Sequence, residues 1–320
     1  MPSPAADPTA PPPLLNGHRL LVFGEALVDL ICERPLAKSE LPDGFTPHIG
    51  GAAANLSVAA ARLGATVSLA GGAGNDEWGR WIETTLENEN VGLDFFTLLD
   101  NVQTPVAFAL VDPDGEPRFS IYGRAIATVV SHLAPILPAA IAMNDAFVML
   151  SNTLIGDDER AITMTARSLA IDRGQPVCFD PNLRLHRWKS PEDARQAITA
   201  VLPDLFLVKC NRDEAAFLTG QNDPAGAAVA LTRLGAANAV VTLGPDGALL
   251  RSADGTAAET AGVPAQVVNT TGAGDAFFGT LLGHLAREGF TSGVIAANLQ
   301  SAAKAGARAT ESWPAIPDPG

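Results

Sequence analysis

The chain has 320 residues and is strongly acidic, with 35 aspartates and glutamates against 21 lysines and arginines and a formal net charge of −14 at pH 7. A field of this sign repels polyanions, so the composition argues against a nucleic-acid partner or an anionic membrane partner. Apolar residues make up 47% of the chain, enough to fill the core of a large domain, which excludes a chain that is disordered throughout.

The cysteines and the N-terminal composition favour a reducing compartment. The three cysteines, Cys32, Cys178 and Cys210, are far apart and odd in number, so they predict neither a disulfide framework nor a zinc site. Residues 1–17 are rich in Pro and Ala and lack the basic start and apolar run of a signal peptide. We therefore expect a disordered tail over 1–17, a folded domain over 18–320 and a cytoplasmic location.

Short apolar runs alternate with helical repeats along most of the chain. Helical periods at 55–63 and 157–171 end near glycines, which are common helix stops. Alternation of this kind is typical of a mostly parallel sheet covered by helices on both faces. The predicted strands are 20–24, 66–70, 146–150, 176–180, 205–209 and 238–243.

Two segments, about 31–49 and 104–122, break this alternation. In the second, two strand-like runs at 105–111 and 117–122 flank a turn of sequence Asp-Pro-Asp-Gly, which predicts a hairpin. Ligands of open α/β sheets bind at the carboxyl ends of the strands. We expect the two segments to form a small antiparallel β lid over that edge.

The most informative segment is 269–275, which leads directly into an apolar helical repeat. Gly272 and Gly274 leave backbone N–H groups open at the positive end of the helix dipole, where an anion binds well. Asp275, in the first helical turn, is a poor anion ligand but a suitable base beside a bound phosphate. The segment predicts phosphoryl transfer to a hydroxyl or, more simply, a capped turn before a core helix.

The common kinase and dehydrogenase signatures are absent, including the Walker A loop and the protein-kinase and dinucleotide glycine motifs. The chain instead resembles the PfkB, or ribokinase-like, family of carbohydrate kinases over about 20–307. This resemblance implies a three-layer α/β/α fold with a β lid. Five motifs carry it in order: Gly-Gly-Ala-Ala-Ala-Asn at 50–55, Gly-x-x-Gly-x-Asp-x-x-Gly at 71–79, Asn-x-x-Glu at 211–214, Val-Thr-Leu-Gly-Pro-Asp-Gly at 241–247 and Thr-Thr-Gly-Ala-Gly-Asp-Ala-Phe at 270–277.

The resemblance also implies roles for single residues. Asp275 takes the position of the catalytic base, and the N–H groups of Gly272, Ala273 and Gly274 take that of the anion hole. The Asp29 carboxylate can accept sugar hydroxyls, although a solvated acid or a helix cap would also explain an aspartate there. The Asn55 amide can both donate and accept, although the glycines and Asn55 would also suit an ordinary helix entry. The implied substrate-binding residues are Asp29, Gly50, Gly51, Asn55 and Arg184.

ATP and Mg²⁺ are the implied cofactors. Asn211 and Glu214 would organise phosphate and Mg²⁺ through water, although Asn-x-x-Glu is equally a helix capping box. Asn269 stands where many members have an aspartate at a monovalent cation site, so Asn269 and Thr271 are candidate K⁺ positions and the K⁺ requirement stays open. The implied nucleotide-binding residues are Lys209, Asn211, Glu214, Thr242, Gly244 and Gly247.

The expected substrate is D-fructose. The stretch 180–184 with Trp188 resembles both fructokinases and 2-keto-3-deoxygluconate kinases, and 24–29 resembles fructokinases. Ribokinases tend to carry a lysine where Ala52 stands. 2-Keto-3-deoxygluconate remains the alternative, because an acidic sugar needs a fixed cation and the chain offers Arg118, Arg124 and Arg184.

Two other functional classes stay open. A non-catalytic sugar or nucleoside sensor could keep the same fold, because fold alone does not fix function. A nucleoside kinase would also fit the motifs. Exposed lid strands often pair across a two-fold axis, which makes a homodimer a hypothesis.

Overall fold

The structure is a computed structural model that describes residues 17–37, 39–123 and 125–316. The predicted tail at 1–17 lies outside these residues except for Gly17. The strands of the described chain are β1 (Arg19–Phe23), β2 (Leu27–Cys32), β3 (Thr46–Gly50), β4 (Thr66–Gly74), β5 (Phe96–Leu99), β6 (Val106–Val111), β7 (Pro117–Tyr122), β8 (Ala146–Leu150), β9 (Val177–Asp180), β10 (Leu207–Asn211), β11 (Asn238–Thr242), β12 (Ala248–Ser252) and β13 (Ala257–Thr260).

Nine strands form one sheet in the order β13-β12-β11-β10-β9-β8-β1-β4-β5. The seven strands from β11 to β5 pair in parallel. Strands such as β8 are buried along their whole length, as expected for a parallel sheet covered on both faces. The six strands predicted from the sequence all lie in this sheet, whereas β5 and the antiparallel strands β12 and β13 were not predicted.

Helices cover both faces of this sheet and confirm the predicted three-layer fold. One apolar core lies beneath the first helix and the last two and includes Leu56, Phe278 and Leu299, and the opposite core includes Val129 and Leu231. No helix of the described chain is both long and apolar enough to cross a membrane. The helices are α1 (Ala52–Arg62), α2 (Glu77–Asn88), α3 (Ala125–Leu133), α4 (Leu137–Ala142), α5 (Asp157–Asp172), α6 (Pro191–Thr199), α7 (Arg212–Thr219), α8 (Pro224–Arg233), α9 (Ala273–Glu288) and α10 (Ser292–Ala309).

Helices α1 and α9 lie unusually close because α9 presents glycine to α1. A β-carbon on Gly279 would lie 2.4 Å from the carbonyl oxygen of Leu56 and 2.6 Å from the Ala59 β-carbon. At Gly283, one turn further along, a β-carbon would lie 3.0 Å from the Leu63 side chain. This close approach brings the first turns of the two helices together at the carboxyl edge of the sheet.

The lid is a separate four-stranded sheet in the order β3-β2-β6-β7. Two of its three strand pairs are antiparallel, as expected, but β2 and β6 run parallel. The lid also begins earlier than the sequence indicated, at Leu27 rather than near residue 31. The start of β2 was missed because the buried Asp29 interrupts the apolar run expected of a strand.

The lid rests against the loop that precedes α9. The Thr270 N–H donates to the Gly115 carbonyl at the tip of the β6–β7 turn, at 3.0 Å. A small apolar cluster of Ile31, Ala109 and Val111 packs on the lid side, and Trp313 from the C-terminal segment packs against it. The lid, the loop and the C-terminal segment therefore meet above the carboxyl ends of the strands.

Candidate active site

A cavity of about 580 Å³, the central cleft, lies beneath the lid at the carboxyl ends of the parallel strands. This is the edge at which open α/β sheets bind ligands. The lid, β10, α1, α7, α9 and four loops, those after β1, β8 and β9 and the one before α9, line it. Its polar walls include Glu25, Asp29, Asn55, Asn152, Asn182, Arg184, Lys209, Asn211, Glu214, Thr271 and Asp275.

Asp275 lies in the first turn of α9 and is only 7% exposed. Two amides hold its carboxylate: Asn55 Nδ2 donates to Oδ2 at 2.9 Å, and Asn182 Nδ2 donates to Oδ1 at 3.2 Å. Burial raises the pKa of Asp275 to about 6, while the hydrogen bond from Asn55 opposes the rise. The group is thus an oriented carboxylate that is largely ionised at neutral pH and basic enough to accept a proton.

The glycine loop before α9 forms the helix N-terminus that the sequence predicted. Gly272 is the N-cap, with φ of 78°, a left-handed conformation that favours glycine. The Ala276 N–H donates to the Gly272 carbonyl at 2.8 Å, so the helical bonds begin there and the preceding N–H groups have no partner within the helix. Of these, the Ala273 N–H donates to the Thr270 carbonyl at 3.3 Å.

Lys209 places a fixed positive charge against this loop. Its ammonium group pairs with Asp180 Oδ2 at 2.9 Å, and both side chains are buried. Burial disfavours the charge, but the carboxylates of Asp180 and Glu214 outweigh it and raise the pKa of Lys209. A β-carbon on Gly274 would lie 2.9 Å from Lys209 Nζ, so the ammonium group touches the helix N-terminus. The two positive features reinforce each other as an anion site.

Asn211 and Glu214 form a capping box at the start of α7. The Asn211 side chain accepts from the Glu214 N–H at 2.8 Å, and Glu214 Oε2 accepts from the Asn211 N–H at 2.8 Å. Glu214 Oε1 also accepts from the Leu183 N–H at 2.7 Å. Burial and the Asp180 carboxylate raise the pKa of Glu214. Asn211 and Glu214 therefore cap the helix and also line the central cleft.

Asp29 lies on lid strand β2 and is 5% exposed. Burial raises its pKa to about 8, helped by the Asp275 and Glu25 charges and opposed by Arg184. Gly50 on β3 makes room for it, because a β-carbon there would lie 2.2 Å from Asp29 Oδ2. Gly51, with φ of 93°, then turns the chain into α1.

The arginines considered for an acidic sugar differ in position. Arg184 and Arg118 both line the central cleft, Arg118 from the exposed lid strand β7. Arg184 lies near enough to the acidic residues to lower the pKa values of Asp29 and Asp275. Arg124 lies outside the described residues.

A second cavity of about 650 Å³, the side cavity, adjoins the central cleft. Glu116, Thr270 and Gly274 line both cavities, so the glycine loop is where they meet. Thr242, Gly244 and Gly247 line the side cavity, as expected of a nucleotide region. Its other walls are largely small or apolar, from the 262–267 segment and α10. Lys209, Asn211 and Glu214 line the central cleft instead.

The family model described as "pfkB family carbohydrate kinase" matches residues 18–312. The chain belongs to the pfkB family of carbohydrate kinases. It is 33% identical over 273 residues to probable fructokinase-7 of Arabidopsis thaliana, covering 84% of this chain and 79% of the relative. It is 32% identical over 304 residues to fructokinase of Klebsiella pneumoniae, covering 92% and 94%.

Solved structures of pfkB kinases have the same fold. One is a fructokinase double mutant from Vibrio cholerae O395 in a form bound to fructose, ADP and a potassium ion. It is 28% identical to this chain, superposes with a TM-score of 0.80, and the match covers 94% of each chain. The enzyme class, carbohydrate kinase, follows from the family.

At the candidate K⁺ position of this kinase, hydrogen bonds within the chain hold the Asn269 side chain. Asn269 is fully buried, and its Oδ1 accepts from both Thr271 N, at 3.0 Å, and Thr271 Oγ1, at 2.7 Å. Its Nδ2 donates to the Trp313 carbonyl at 2.7 Å. K⁺ is bound by neutral carbonyl oxygens as well as by carboxylates, but here the Asn269 amide N–H group donates to the Trp313 carbonyl, so a hydrogen bond already engages that oxygen.

The kinase also offers no cluster for a resident metal within the described residues, where no group of three or more His, Cys, Asp and Glu side chains could hold an ion. A divalent cation in this site would depend on ligands brought by the nucleotide phosphates. Both carboxylate oxygens of Glu214 already accept backbone N–H groups.

Several residues of the site were not identified from the sequence, among them Glu25, Asn152 and Asn182 in the cleft wall and Asp180, which pairs with Lys209. Asn182 lies in the stretch 180–184, which the sequence analysis used only to choose the substrate. Its signal was available, because it follows the carboxyl end of a predicted strand, as Asn211 does. Asn152 follows β8 in the same way. Glu25 and Asp180 are paired with residues distant in sequence, which no local pattern indicates.

Proposed function

We propose that this pfkB kinase is an ATP-dependent fructokinase that transfers the γ-phosphoryl group of ATP to a hydroxyl of D-fructose. The observation that carries the proposal is the Asp275 carboxylate, held by Asn55 and Asn182 beside the glycine loop where the two cavities meet. The relatives named fructokinase support the choice of sugar.

In the proposed mechanism, the central cleft holds the sugar and the side cavity holds the nucleoside of ATP. Asp275 accepts the proton of the attacking hydroxyl as its oxygen forms a bond to the γ-phosphorus. The bond from that phosphorus to the β–γ bridging oxygen breaks, and ADP leaves. Catalysis then depends on positioning and on the stabilisation of charge on the transferring phosphoryl group.

Positive groups of the chain stabilise the negative charge on the transferring phosphoryl group. The N–H groups of Gly272, Ala273 and Gly274 are the proposed anion hole, with the Lys209 ammonium group beside them. For Ala273, phosphate binding must replace the 3.3 Å bond to Thr270. Glu214 is the proposed contact, through water, for Mg²⁺ bound with ATP, and the ion would supply neutralisation of phosphate charge. Thr242, Gly244 and Gly247 are the proposed nucleotide contacts in the side cavity.

Asp29, Gly51, Asn55 and Arg184 are the proposed sugar contacts on the cleft walls, with Gly50 making room for Asp29. Several carboxylates face this cleft, which favours a neutral polyol, because hydroxyls can donate to them whereas an acidic sugar would be repelled. Arg118 and Arg184, which line the same cleft, are the observation that favours 2-keto-3-deoxygluconate as the second candidate.

The test is ADP release from MgATP by the purified protein with fructose, 2-keto-3-deoxygluconate, ribose or adenosine as acceptor. We expect fructose to give the highest kcat/KM. A higher kcat/KM for the keto-deoxy acid would replace the proposal with the second candidate, and preference for adenosine would indicate a nucleoside kinase. Sugar binding measured by calorimetry, without ADP release from any acceptor, would indicate a sensor.

We also propose a homodimer formed through the lid. Phe108 lies on the face opposite the cleft, packed edge-to-face between Phe45 and Tyr122 at ring-centroid distances of 5.0 and 5.6 Å. Tyr122 is 63% exposed and Phe45 37% exposed. A second copy of the chain would cover this apolar face. Sedimentation at micromolar concentration should give a dimer mass, and a single monomeric species would contradict the proposal.

We propose that the protein is located in the cytoplasm. Cys32, Cys178 and Cys210 are free and buried in the structure, consistent with a reducing environment. The strong negative charge gives no reason to expect a nucleic-acid or membrane partner.

A further inference from the structure

Asp180, the last residue of β9, is a fully buried carboxylate that lines neither the central cleft nor the side cavity. Its two oxygens nevertheless face two different parts of the active site. Oδ2 accepts from the Lys209 ammonium group at 2.9 Å, and Oδ1 accepts from the Asn182 N–H at 3.0 Å. Lys209 and Asn182 both line the central cleft. Asp180 therefore reaches the cleft through these two residues.

The position of the Lys209 ammonium group depends on its neighbour in the sheet. Val208 of β10 pairs with Phe179 of β9. The next residues along these two parallel strands, Lys209 and Asp180, therefore lie side by side. The Asp180 carboxylate holds the ammonium group against Gly274 of the glycine loop, where a β-carbon would lie 2.9 Å from Nζ. Because a lysine side chain is long and flexible, its charge would not keep one position without such a partner.

The other oxygen of Asp180 fixes the turn that carries Asn182. Asn182 has φ of 36°, a left-handed conformation that is uncommon for residues other than glycine. The bond from its N–H to Asp180 Oδ1 closes an Asx turn, which stabilises that conformation. Asn182 Nδ2 in turn donates to Asp275 Oδ1 at 3.2 Å. The orientation of the Asp275 carboxylate therefore depends on Asp180 through Asn182.

We propose that Asp180 is a positioning residue for phosphoryl transfer. Its Oδ2 fixes the Lys209 ammonium group beside the anion hole, and its Oδ1 aims the Asn182 amide at the base, Asp275. One carboxylate thus aligns the group that accepts the proton with the charge that stabilises the phosphoryl group. The inference rests on the proposed kinase function. Because Asp180 contacts no substrate, its substitution should lower kcat much more than it changes KM for fructose.

A purely structural role, in which Asp180 only neutralises a buried lysine, is the competing explanation. Stability gives little reason for such a pair, because the cost of removing two charges from water often cancels their attraction. Apolar residues of similar volume often stabilise a core as well or better. The bond from Asp180 to the Asn182 N–H also takes no part in neutralising the lysine. The two roles differ in what they affect, since a structural role changes stability and a positioning role changes kcat.

The experiment measures kcat and KM with fructose and MgATP for Asp180→Asn, Lys209→Met and the double variant. Asp180→Asn keeps an oxygen for the Asn182 N–H but turns an amide nitrogen toward the ammonium group. We expect kcat to fall by about 10²-fold because the charge is displaced, with KM for fructose within about threefold of the wild type. In Lys209→Met, which itself should lose about 10²- to 10³-fold, adding Asp180→Asn should change kcat by less than about threefold, because the group through which Oδ2 acts is absent.

The Lys209→Met background also isolates the other oxygen. Asp180→Ala removes the acceptor of the Asn182 N–H, whereas Asp180→Asn keeps it. We expect Asp180→Ala/Lys209→Met to have a kcat about tenfold below that of Asp180→Asn/Lys209→Met, because the Asn182 amide no longer holds Asp275. Neither double variant buries an unpaired charge at these two positions, so this comparison stands even if Asp180→Asn alone does not fold.

Asp193→Asn is the matched control, because Asp193 pairs with Arg160 at 3.1 Å and lines neither cavity. It should lower the melting temperature but not kcat, with all rates measured well below the melting temperature of each variant. A wild type that releases no ADP with fructose would overturn the proposed function, and the Asp180 proposal with it. With an active wild type, the Asp180 proposal alone would be overturned by a wild-type kcat in Asp180→Asn, by losses that multiply in Asp180→Asn/Lys209→Met, or by equal kcat of the two double variants.

Discussion

Asp275 combines two properties that a general base needs, a fixed orientation and a raised pKa. The amides of Asn55 and Asn182 each donate to one of its oxygens, so the carboxylate cannot rotate freely. Burial raises its pKa to about 6, closer to the pH at which the enzyme would work. Asparagine has the same shape but cannot accept the hydroxyl proton.

We therefore expect Asp275→Asn to lower kcat with fructose by about 10²- to 10⁴-fold, the usual range for loss of a general base. ATP affinity, measured by fluorescence or calorimetry, should stay near that of the wild type. In the wild type, kcat/KM should rise with pH through about 6 as the carboxylate loses its proton. An Asp275→Asn enzyme that turns over fructose at the wild-type rate would remove Asp275 from the mechanism.

Asp29 gives a prediction about stability rather than rate. Its pKa is raised to about 8 in the folded chain, against an ordinary value of 3.8, because burial and the Asp275 charge disfavour the carboxylate. The folded state thus binds the Asp29 proton more tightly than the unfolded state does. The resulting contribution to the free energy of unfolding is complete below about pH 4 and is lost as the pH rises through about 8.

We expect Asp29→Asn, which mimics the neutral acid, to melt progressively higher than the wild type as the pH is raised from 5 to 9 without ligands. Thermal denaturation at three pH values measures this gap. Asp94→Asn, at an exposed position, is the control and should show no such trend. A gap for Asp29→Asn that does not change with pH would mean that Asp29 is ionised throughout.

At the scale of elements, the contact between α1 and α9 sets the catalytic geometry. Asn55 on α1 reaches Asp275 on α9 because glycine at 279 lets the two backbones approach. A β-carbon there would meet the Leu56 carbonyl and the Ala59 side chain, which cannot both move away without shifting a helix.

We expect Gly279→Ala to reduce the free energy of unfolding by about 1–3 kcal/mol from overpacking, despite the better helix propensity of alanine. Its kcat should also fall, because Asn55 moves away from Asp275. Gly293→Ala is the matched control in α10, where the nearest atom lies 3.8 Å from the added carbon. Chemical denaturation and steady-state rates measure both variants. Equal stability of the two variants would contradict this account of the helix contact.

Asn269, a candidate K⁺ position in the sequence, joins the glycine loop to the C-terminal segment. Its amide already donates to the Trp313 carbonyl, so we expect the wild-type rate to be unchanged when KCl is replaced by tetramethylammonium chloride. Asn269→Asp loses this donor and places a carboxylate against a carbonyl, which a cation could bridge.

We therefore expect Asn269→Asp to be impaired in tetramethylammonium chloride and restored by KCl. KCl should also raise the melting temperature of Asn269→Asp but not that of the wild type, which gives a readout independent of activity. A wild type activated by KCl would show that an ion binds despite the amide.

At the scale of the whole molecule, the sequence was most informative where function is contiguous in the chain. The glycine loop, the Asn-x-x-Glu box and the buried strands each occupy a few consecutive residues, and all lie where the motifs predicted. Hydrogen bonds from Arg187 to Asn152 and from Asn152 to Glu25 join residues that are 35 and 127 positions apart, so only the fold brings these residues together. The edge strand β13 was not predicted because none of its residues is fully buried.

The lid was foreseen as a unit but not in its pairing. A parallel β2–β6 pair joins strands separated by β3, α1, β4, α2 and β5, and no local turn sequence specifies it. The result is functionally important, because it is β2 that holds Asp29 over the cleft. The Gly115–Thr270 contact then joins this lid to the glycine loop.

The central claim is that the molecule transfers a phosphoryl group from ATP to fructose by using Asp275. Phosphorus-31 NMR of the purified protein with fructose, ATP and Mg²⁺ tests it most directly. We predict that a sugar phosphate monoester signal grows together with ADP in the wild type and is nearly absent with Asp275→Asn over the same period. ADP formed with inorganic phosphate only, or fructose bound with no new phosphorus signal, would contradict the claim.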